Sequence, residues 1–156
     1  MKILGIDPAL TALGWGVILS ESPKIIYVDS GLIKTKPATP LHFRLANIAD
    51  SIEEAIDLHQ PDVIAMEETF VNKNAVSSLK LGYVRGALMA LIGKKNIPFY
   101  EYKPNNIKKT ITGVGHADKE QVKHMVQMII SGTNPKISLD ESDALAIAYT
   151  CLANQR

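Results

Sequence analysis

The chain has 156 residues, 46% hydrophobic and 21% charged, a composition typical of a single globular domain over residues 1–156. No apolar run approaches the roughly 20 residues of a membrane span, and the opening residues lack a signal-peptide pattern, so we expect a cytoplasmic protein with no membrane partner. The single cysteine excludes an internal disulfide, and one thiol alone does not make a metal site.

The charges are unevenly distributed, although the net charge is only +1. Residues 73–123 contain ten basic and three acidic residues, a net charge of +7, whereas the rest of the chain carries −6. Such an asymmetry is typical of proteins that bind a polyanion. The alternative is that these lysines only cover solvated helix faces.

The first predicted elements are strands. Residues 3–7 form a short apolar run that ends in Asp7, a pattern typical of a central strand buried on both faces. Residues 14–19 and 25–35 predict two more strands, and the three together predict an antiparallel meander. An acid at the end of a buried strand lies where α/β sheets usually bind ligands, although Asp7 could equally start a turn with Pro8.

A helix follows, with Thr39 predicted as its N-cap and Pro40 as its first residue. Its apolar residues recur at spacings of three and four. Residues 62–67 then repeat the pattern of the first strand and end in Glu67. Because a helix precedes it, this strand can run parallel to the first, which would bring Asp7 and Glu67 to the same edge of the sheet.

The remaining chain predicts a fifth strand at residues 98–101. It also predicts three more helices, at residues 75–94, 118–130 and 140–152. Residues 103–115 are basic and contain proline and glycine, so we expect them to be irregular. The long helix contains Gly82 and Gly86, each of which costs about 1 kcal/mol relative to alanine in a helix interior. These glycines indicate a close approach, either of the sheet or of a partner subunit.

Asp140 and Asp143 are three residues apart at the start of the last predicted helix, so both face the same side. Acids in a first helical turn often only stabilise the helix dipole, and that alternative applies here. If this helix begins at the same sheet edge, however, four acids converge there. Their mutual repulsion would be relieved by hard cations such as Mg2+ or Mn2+. Two such ions about 3.5–4 Å apart could promote phosphodiester hydrolysis.

Several short stretches, spread in order over nearly the whole chain, resemble one known family. They are residues 5–8 (Gly-Ile-Asp-Pro), Glu67, Phe70, residues 72–75 (Asn-Lys-Asn-Ala), residues 79–82 (Leu-Lys-Leu-Gly), Arg85 and Gly86, residues 113–115 (Gly-Val-Gly), Lys119 and residues 140–146 (Asp-Glu-Ser-Asp-Ala-Leu-Ala). No single motif is decisive, but their order and spacing together are specific. On these residues the chain resembles the RuvC family of Holliday junction resolvases, in the RNase H-like superfamily.

The resemblance implies an α/β, RNase H-like fold with a five-stranded mixed sheet flanked by helices. It also implies a structure-specific DNA endonuclease that resolves four-way junctions by metal-dependent hydrolysis. Such an enzyme would act as a homodimer, cut two opposing strands and leave 5′-phosphate and 3′-hydroxyl ends. Its expected protein partners are the RuvA and RuvB branch-migration proteins.

The resemblance further implies roles for individual residues. The catalytic and metal-binding residues would be Asp7, Glu67, Asp140 and Asp143, which would hold two Mg2+ or Mn2+ ions. Lys108 and Lys119 would lie near the scissile phosphate, and Lys119 would assist catalysis there. The DNA contacts would be Phe70, Lys73, Lys80, Arg85, Lys108, Lys109 and Lys119. Phe70 would stack on an opened base, an interaction worth about 1–3 kcal/mol, unless it is an ordinary core phenylalanine.

One position departs from the family pattern, because Ala9 stands where relatives often have glycine. If the loop after Asp7 needs a positive φ there, Ala9 would be strained. Histidine replaces Asp140 in some relatives, so the type of ligand at that position varies within the family.

Other functions stay open from the sequence. A related nuclease could cut structured RNA instead of DNA. Sugar kinases and ATPases of the actin-like class also begin with a Gly-Ile-Asp strand, but they need a second domain for which this chain is too short. A protein that bound junctions without cutting them would have no reason to keep four mutually repelling acids.

Overall fold

The computed structural model describes residues 1–68 and 74–155. Its elements, in chain order, are β1 (Lys2–Asp7), β2 (Ala12–Glu21), β3 (Lys24–Lys34), α1 (Leu41–His59), β4 (Val63–Glu67), α2 (Ala75–Lys95), β5 (Phe99–Tyr102), α3 (Pro104–Thr112), α4 (Lys119–Ile129) and α5 (Leu139–Asn154). The strands form one sheet in the order β3-β2-β1-β4-β5. Strands β1, β2 and β3 are the predicted antiparallel meander, and β4 is parallel to both β1 and β5.

Helices cover both faces of this sheet. On one face, α3, α4 and α5 bury their apolar residues together with Ile3 of β1. On the other face, α1 and α2 do the same with Leu4 and Ile6 of β1. The central strand is therefore apolar on both sides, which explains why its sequence is a continuous apolar run and does not alternate.

α5 lies very close to the sheet, because β1 and β2 carry glycine beneath it. A Cβ atom on Gly5 would overlap the carbonyl oxygen of Ala144, and one on Gly14 would overlap the carbonyl oxygen of Asp140. Gly14 is also the residue paired with Asp7 across β1 and β2. The first turn of α5 is therefore held against the end of β1.

The starts of α1 and α5 differ from the sequence prediction. The prediction that Thr39 is the N-cap of α1 is wrong, because the N-cap is Pro40. The N–H of Thr39 instead donates to the carbonyl of Lys36 in a turn before the helix. In α5 the cap is Ser138, whose hydroxyl accepts from the N–H of Glu141 while the Glu141 carboxylate accepts from the N–H of Ser138. Capping α5 therefore does not require Asp140.

The segment expected to be irregular, residues 103–115, contains a nine-residue helix, α3. Pro104 occupies its first turn, where the missing N–H is not needed, and Gly113 ends it with φ of 82°. Ile107 and Ile111, one turn apart, are its buried residues. Proline and glycine here mark the two ends of a helix, so the prediction of irregular structure was wrong for residues 104–112.

Among the described helices, α2 is long and apolar enough to cross a membrane by length and composition alone. It is attached to the sheet, however. Its buried residues pack with those of β1 and β4, and Arg85 in its middle forms an ion pair with Glu101 in the β5 strand. A helix so anchored, with a charged residue near its centre, is poorly suited to a bilayer.

The glycines of α2 make no close approach to the sheet. A Cβ atom added to Gly82, Gly86 or Gly93 would meet nothing within 4 Å in the described part of the chain. A close approach of the sheet is therefore excluded as the reason for Gly82 and Gly86.

Candidate active site

Two strand ends and one helix start meet at one edge of the sheet. Asp7 ends β1 and Glu67 ends β4, and the two strands are parallel with Ile6 beside Met66. Both carboxylates therefore project from the same edge. The close seating of α5 on Gly14 brings the first turn of α5, with Asp140 and Asp143, to that edge as well.

The carboxylates are near enough to share a cation. Oxygen atoms of Asp7, Asp140 and Asp143 lie within 4.8 Å of one another. Glu67 is outside that group of three but lines the same cavity of about 210 Å³ as Asp7 and Asp143. Carboxylate oxygens are the ligands that hard divalent cations prefer. These four residues, hereafter the acid cluster, therefore fit a divalent metal ion.

Lys119, the first residue of α4, directs its ammonium group into the acid cluster. Its Nζ lies 2.7 Å from Oδ2 of Asp143 and 3.3 Å from Oδ1 of Asp140. Burial opposes the charged form, but the hydrogen bond to Asp143 and the charges of Asp143 and Asp7 outweigh burial and raise the pKa of Lys119. Lys119 therefore serves as a fixed positive charge among these acids.

Burial and mutual repulsion make the acid cluster difficult to ionise. Burial, and after it the charges of Asp143 and Glu67, raise the pKa of Asp7 to about 8. Burial also raises the pKa values of Glu67 and Asp143, although the charge of Lys119 opposes the rise in both. Without a cation, much of Asp7 is therefore protonated at neutral pH, and a bound divalent cation would displace that proton.

Helix α3 forms another wall of this cavity. Pro104, Ile107 and Lys108 line it, and the positive charge of Lys108 opposes the rise that burial causes in the pKa values of Glu67 and Asp143. Lys109, the next residue, is exposed and does not line the cavity. Lys108 therefore lies beside the acids, whereas Lys109 points elsewhere.

Arg85 is engaged within the protein next to Glu67. Its guanidinium donates to the backbone carbonyl of Glu67 and to the carboxylate of Glu101, and its side chain is only 13% exposed. The contact with DNA expected at Arg85 stays a prediction. The geometry shows a different task, which is to fix the end of β4, and sequence reasoning missed it.

Comparison with known proteins agrees with this arrangement. A family model described as crossover junction endodeoxyribonuclease RuvC matches residues 3–151. The proteins of that name from Rickettsia conorii and Rickettsia prowazekii are 52% and 53% identical over 99% and 100% of this chain and 99% of each relative. The chain belongs to the RuvC family.

Solved structures support the fold of this RuvC family member. Thermus thermophilus RuvC, in a structure described as a complex with Holliday junction substrate, superimposes with a TM-score of 0.92 at 32% identity over 100% of this chain and 95% of that one. The yeast mitochondrial Holliday junction resolvase Ydc2, at 19% identity over 95% of this chain and 77% of its own, shares the fold with a TM-score of 0.65. The predicted RNase H-like mixed sheet is confirmed.

The other residues named from the family resemblance do not lie at the acid cluster in the part of the chain that the structure describes. Lys80 on α2 is exposed and lines a different cavity from the acid cluster. Phe70 and Lys73 lie outside the described residues. Ala9 is not strained, because the non-glycine residues with positive φ in the described chain are Gln60 and Asn96.

Proposed function

We propose that this chain is a crossover junction endodeoxyribonuclease that resolves four-way DNA junctions by hydrolysing phosphodiesters in two opposing strands. The observation that carries the proposal is the acid cluster, in which three carboxylates lie within 4.8 Å at a sheet edge, with Lys108 and Lys119 beside them. The names of the relatives at 52–53% identity support it. So does the Thermus thermophilus structure, which is described as a complex with Holliday junction substrate.

The acid cluster would be the catalytic centre and would hold two divalent ions, Mg2+ with Mn2+ as the alternative. The charges of both Asp143 and Glu67 act on Asp7, so Asp7 would be one of the residues that hold these ions. When bound, such ions lower the pKa of a water molecule and stabilise the leaving oxygen of the phosphodiester. Water would attack the phosphorus and the 3′ oxygen would leave, so the products would carry ligatable 5′-phosphate and 3′-hydroxyl ends, as the family resemblance implies.

Lys119 would serve two purposes at this centre. In the metal-free protein its ammonium partly neutralises Asp140 and Asp143. With the acids holding cations, the Lys119 ammonium would be free to donate to an oxygen of the scissile phosphate. Changing Lys119→Ala should slow cleavage of bound junction by about 10–100-fold, because one charged donor to the transition state is lost. An unchanged rate would reduce Lys119 to a counter-ion of the acids.

The basic residues around the acid cluster would bind the DNA backbone. The lysines of the predicted set that the structure describes are Lys80, Lys108, Lys109 and Lys119. Arg85, the remaining described member, is engaged by Glu67 and Glu101. Phe70 and Lys73 keep their predicted roles as DNA contacts, on the family resemblance alone. Each phosphate contact by lysine or arginine should make binding weaker at higher salt.

A junction with two-fold symmetry calls for two active sites, and a C2 homodimer would supply them. We place the dimer contact on α2, because exposed apolar residues run along it: Val76, Leu79, Tyr83 and Met89. The open space beside Gly82 and Gly86 would let the backbone of a partner helix approach closely. This assignment also explains why α2 is apolar without being buried in the single chain.

Three further expectations complete the proposal. The whole chain, residues 1–156, would fold as one domain, since one sheet with helices on both faces contains all the described strands. A cytoplasmic location and delivery to junctions by RuvA and RuvB rest on the family resemblance. Faster resolution of junctions that already carry RuvA and RuvB would support that delivery.

The deciding experiment is Mg2+-dependent cleavage of a synthetic four-way DNA junction. We expect paired nicks in opposing strands that ligase can reseal, and no cleavage of a linear duplex of the same sequence. The Asp7→Asn variant should bind the junction without cutting it. Cleavage of structured RNA but not of the DNA junction would overturn the proposal in favour of an RNA nuclease, and normal cleavage by Asp7→Asn would remove Asp7 from the metal site.

A further inference from the structure

The loop of residues 8–11, which follows Asp7 directly in the chain, forms part of the wall of a second cavity. Its volume is about 380 Å³, and Arg44 of α1 together with Ser77 and Lys80 of α2 also line it. We refer to it as the Arg44 cavity. None of its residues belongs to the acid cluster, and Arg44 is absent from the motifs on which the family resemblance rests.

Arg44 is held rigidly at this cavity. Only 7% of the residue is exposed. Its Nε donates to Oγ1 of Thr35 at 2.8 Å, and its Nη2 lies 3.4 Å from both the carbonyl of Leu10 and Oγ1 of Thr11. Thr35 in turn donates to the carbonyl of Leu10. The guanidinium plane is thus fixed from two sides before any ligand arrives.

The charge of Arg44 is not balanced. In residues 1–68 and 74–155, no carboxylate lies within 4 Å of Arg44 and its Nη1 forms no hydrogen bond. A buried guanidinium is normally paired, because an isolated buried charge is costly. The guanidinium that lines this cavity therefore lacks an anion.

The rest of the cavity has the same character. Lys80 adds a second positive charge and forms no ion pair within the described residues, while Thr11 and Ser77 add hydroxyl groups. Over the described chain, no lining residue is acidic. A guanidinium fork with a lysine and hydroxyls suits an anion with several oxygens, such as a phosphate group. The acid cluster, by contrast, suits cations.

We propose that the Arg44 cavity binds a phosphate of the junction strand close to the one being cut, and so sets the register of that strand on the acid cluster. The inference rests on the proposed function, because it takes the ligand to be DNA. The loop of residues 8–11 connects the two places directly: Asp7 ends β1 at the acid cluster, and the next residues line the Arg44 cavity. Arg44 would act on a phosphate that is not cleaved.

The test must separate a direct phosphate contact from a merely structural role, in which Arg44 only braces the loop. Junctions are made with a single neutral methylphosphonate at each position near the cut, and their affinities are measured in an Asp7→Asn background that prevents cleavage. At one position the neutral group should weaken binding about tenfold, as expected when a charge-assisted contact is lost. In Arg44→Met and in Lys80→Ala, the neutral group at that position should cause almost no further loss of affinity.

Lys80→Ala keeps the test decisive if Arg44→Met folds poorly, because Lys80 is exposed. Lys94→Ala is the matched control, since Lys94 is an exposed lysine on the same helix about 21 Å away. The control should keep the full methylphosphonate penalty. With Lys80→Ala, the slope of log affinity against log salt should also fall by about one unit.

The outcomes distinguish this inference from the function on which it rests. If the unsubstituted protein cuts the junction in Mg2+, yet the methylphosphonate penalties are the same with and without Lys80 and Arg44, the phosphate site is wrong and the function stands. If neither cleavage nor junction binding occurs, both fail. Competition by inorganic phosphate without any position-specific methylphosphonate effect would assign the cavity to free phosphate and overturn the inference.

Discussion

The helices α5 and α2 are both long and apolar, yet they differ greatly in how much of each is buried. Nine of the sixteen residues of α5 are buried, whereas only three of the twenty-one residues of α2 are. The difference comes from where glycine lies. Gly5 and Gly14 in the sheet admit α5 onto the strands, while Gly82 and Gly86 in α2 face open space. Hydropathy alone therefore does not tell which helix is core and which is surface.

The two helices therefore have different proposed roles, α5 in catalysis and α2 in association. α5 brings Asp140 and Asp143 to the end of β1 at a fixed position, since its backbone rests directly on Gly14. α2 contributes an anchored but uncovered apolar face. We therefore expect substitutions at α5 to change cleavage or folding, and substitutions on the exposed face of α2 to change association.

The largest effect should come from the acids at the start of α5. Changing Asp143→Asn should lower the single-turnover rate of junction cleavage by at least about 100-fold, because a metal ligand contributes several kcal/mol to catalysis. The matched control is Glu141→Gln in the same turn, since Glu141 caps the helix and bonds Ser30. The control should keep its cleavage rate, and equal losses in the two variants would mean that the helix start, not the carboxylate at Asp143, is what matters.

The next effect concerns the exposed face of α2. Leu79→Glu should raise the dimer dissociation constant by about 10–100-fold, because it would place a charge at the centre of the proposed apolar contact. Leu58→Glu on α1 is the control: Leu58 is 74% exposed, compared with 57% for Leu79, but lies on another helix. Sedimentation analysis would measure both. An unchanged constant for Leu79→Glu would move the dimer contact away from α2.

Substitution by alanine should change the free energy of unfolding in opposite directions at the sheet glycines and at the α2 glycines. Gly14→Ala should lower the free energy of unfolding by about 1–3 kcal/mol, because its Cβ would overlap the backbone of Asp140 and displace α5. Gly82→Ala should raise it by up to about 1 kcal/mol in the monomer, because alanine favours the helix and meets no neighbour. Urea unfolding at low protein concentration would measure both, and a stable Gly14→Ala would contradict the tight seating of α5.

Much of this site could be predicted because it depends on strand ends. A buried strand that ends in an acid occurs twice, and the helix between the two makes them parallel, so Asp7 and Glu67 had to meet at one edge. The placement of Asp140 and Asp143 was conditional on where the last helix begins. That position depends on Gly14, which sequence periodicity does not connect with α5.

The failures have physical causes as well. α3 was missed because Pro104 and Gly113 were taken as signs of irregular structure, although proline in a first turn and glycine after a last turn are normal ends of a helix. The buried spacing of Ile107 and Ile111 was the signal that could have found it. The Arg44 cavity has no local signal, because it needs a loop, α1 and α2 to come together in space.

The pH dependence of stability tests the burial of the Asp7 carboxyl group beneath α5. Asp7 has an ordinary pKa of 3.8, which the fold raises to about 8. Between these two values the folded protein holds a proton that the unfolded chain has lost, so in EDTA the free energy of unfolding should fall as pH rises from about 4 to about 8, by about 1–3 kcal/mol. Glu67 and Asp143, whose pKa values are also raised, add to the same trend.

Urea unfolding in EDTA across this pH range would show the slope, and Asp7→Asn should remove most of it because asparagine does not titrate. Asp57→Asn is the control, since Asp57 pairs with Lys95 at the surface, away from α5. Added Mg2+ should restore stability most strongly at high pH, where it no longer has to displace the proton of Asp7. If the slope were the same in the unsubstituted protein, in Asp7→Asn and in Asp57→Asn, then Asp7 would not be buried against α5. Burial of this carboxyl group would then no longer distinguish α5 from the exposed helix α2.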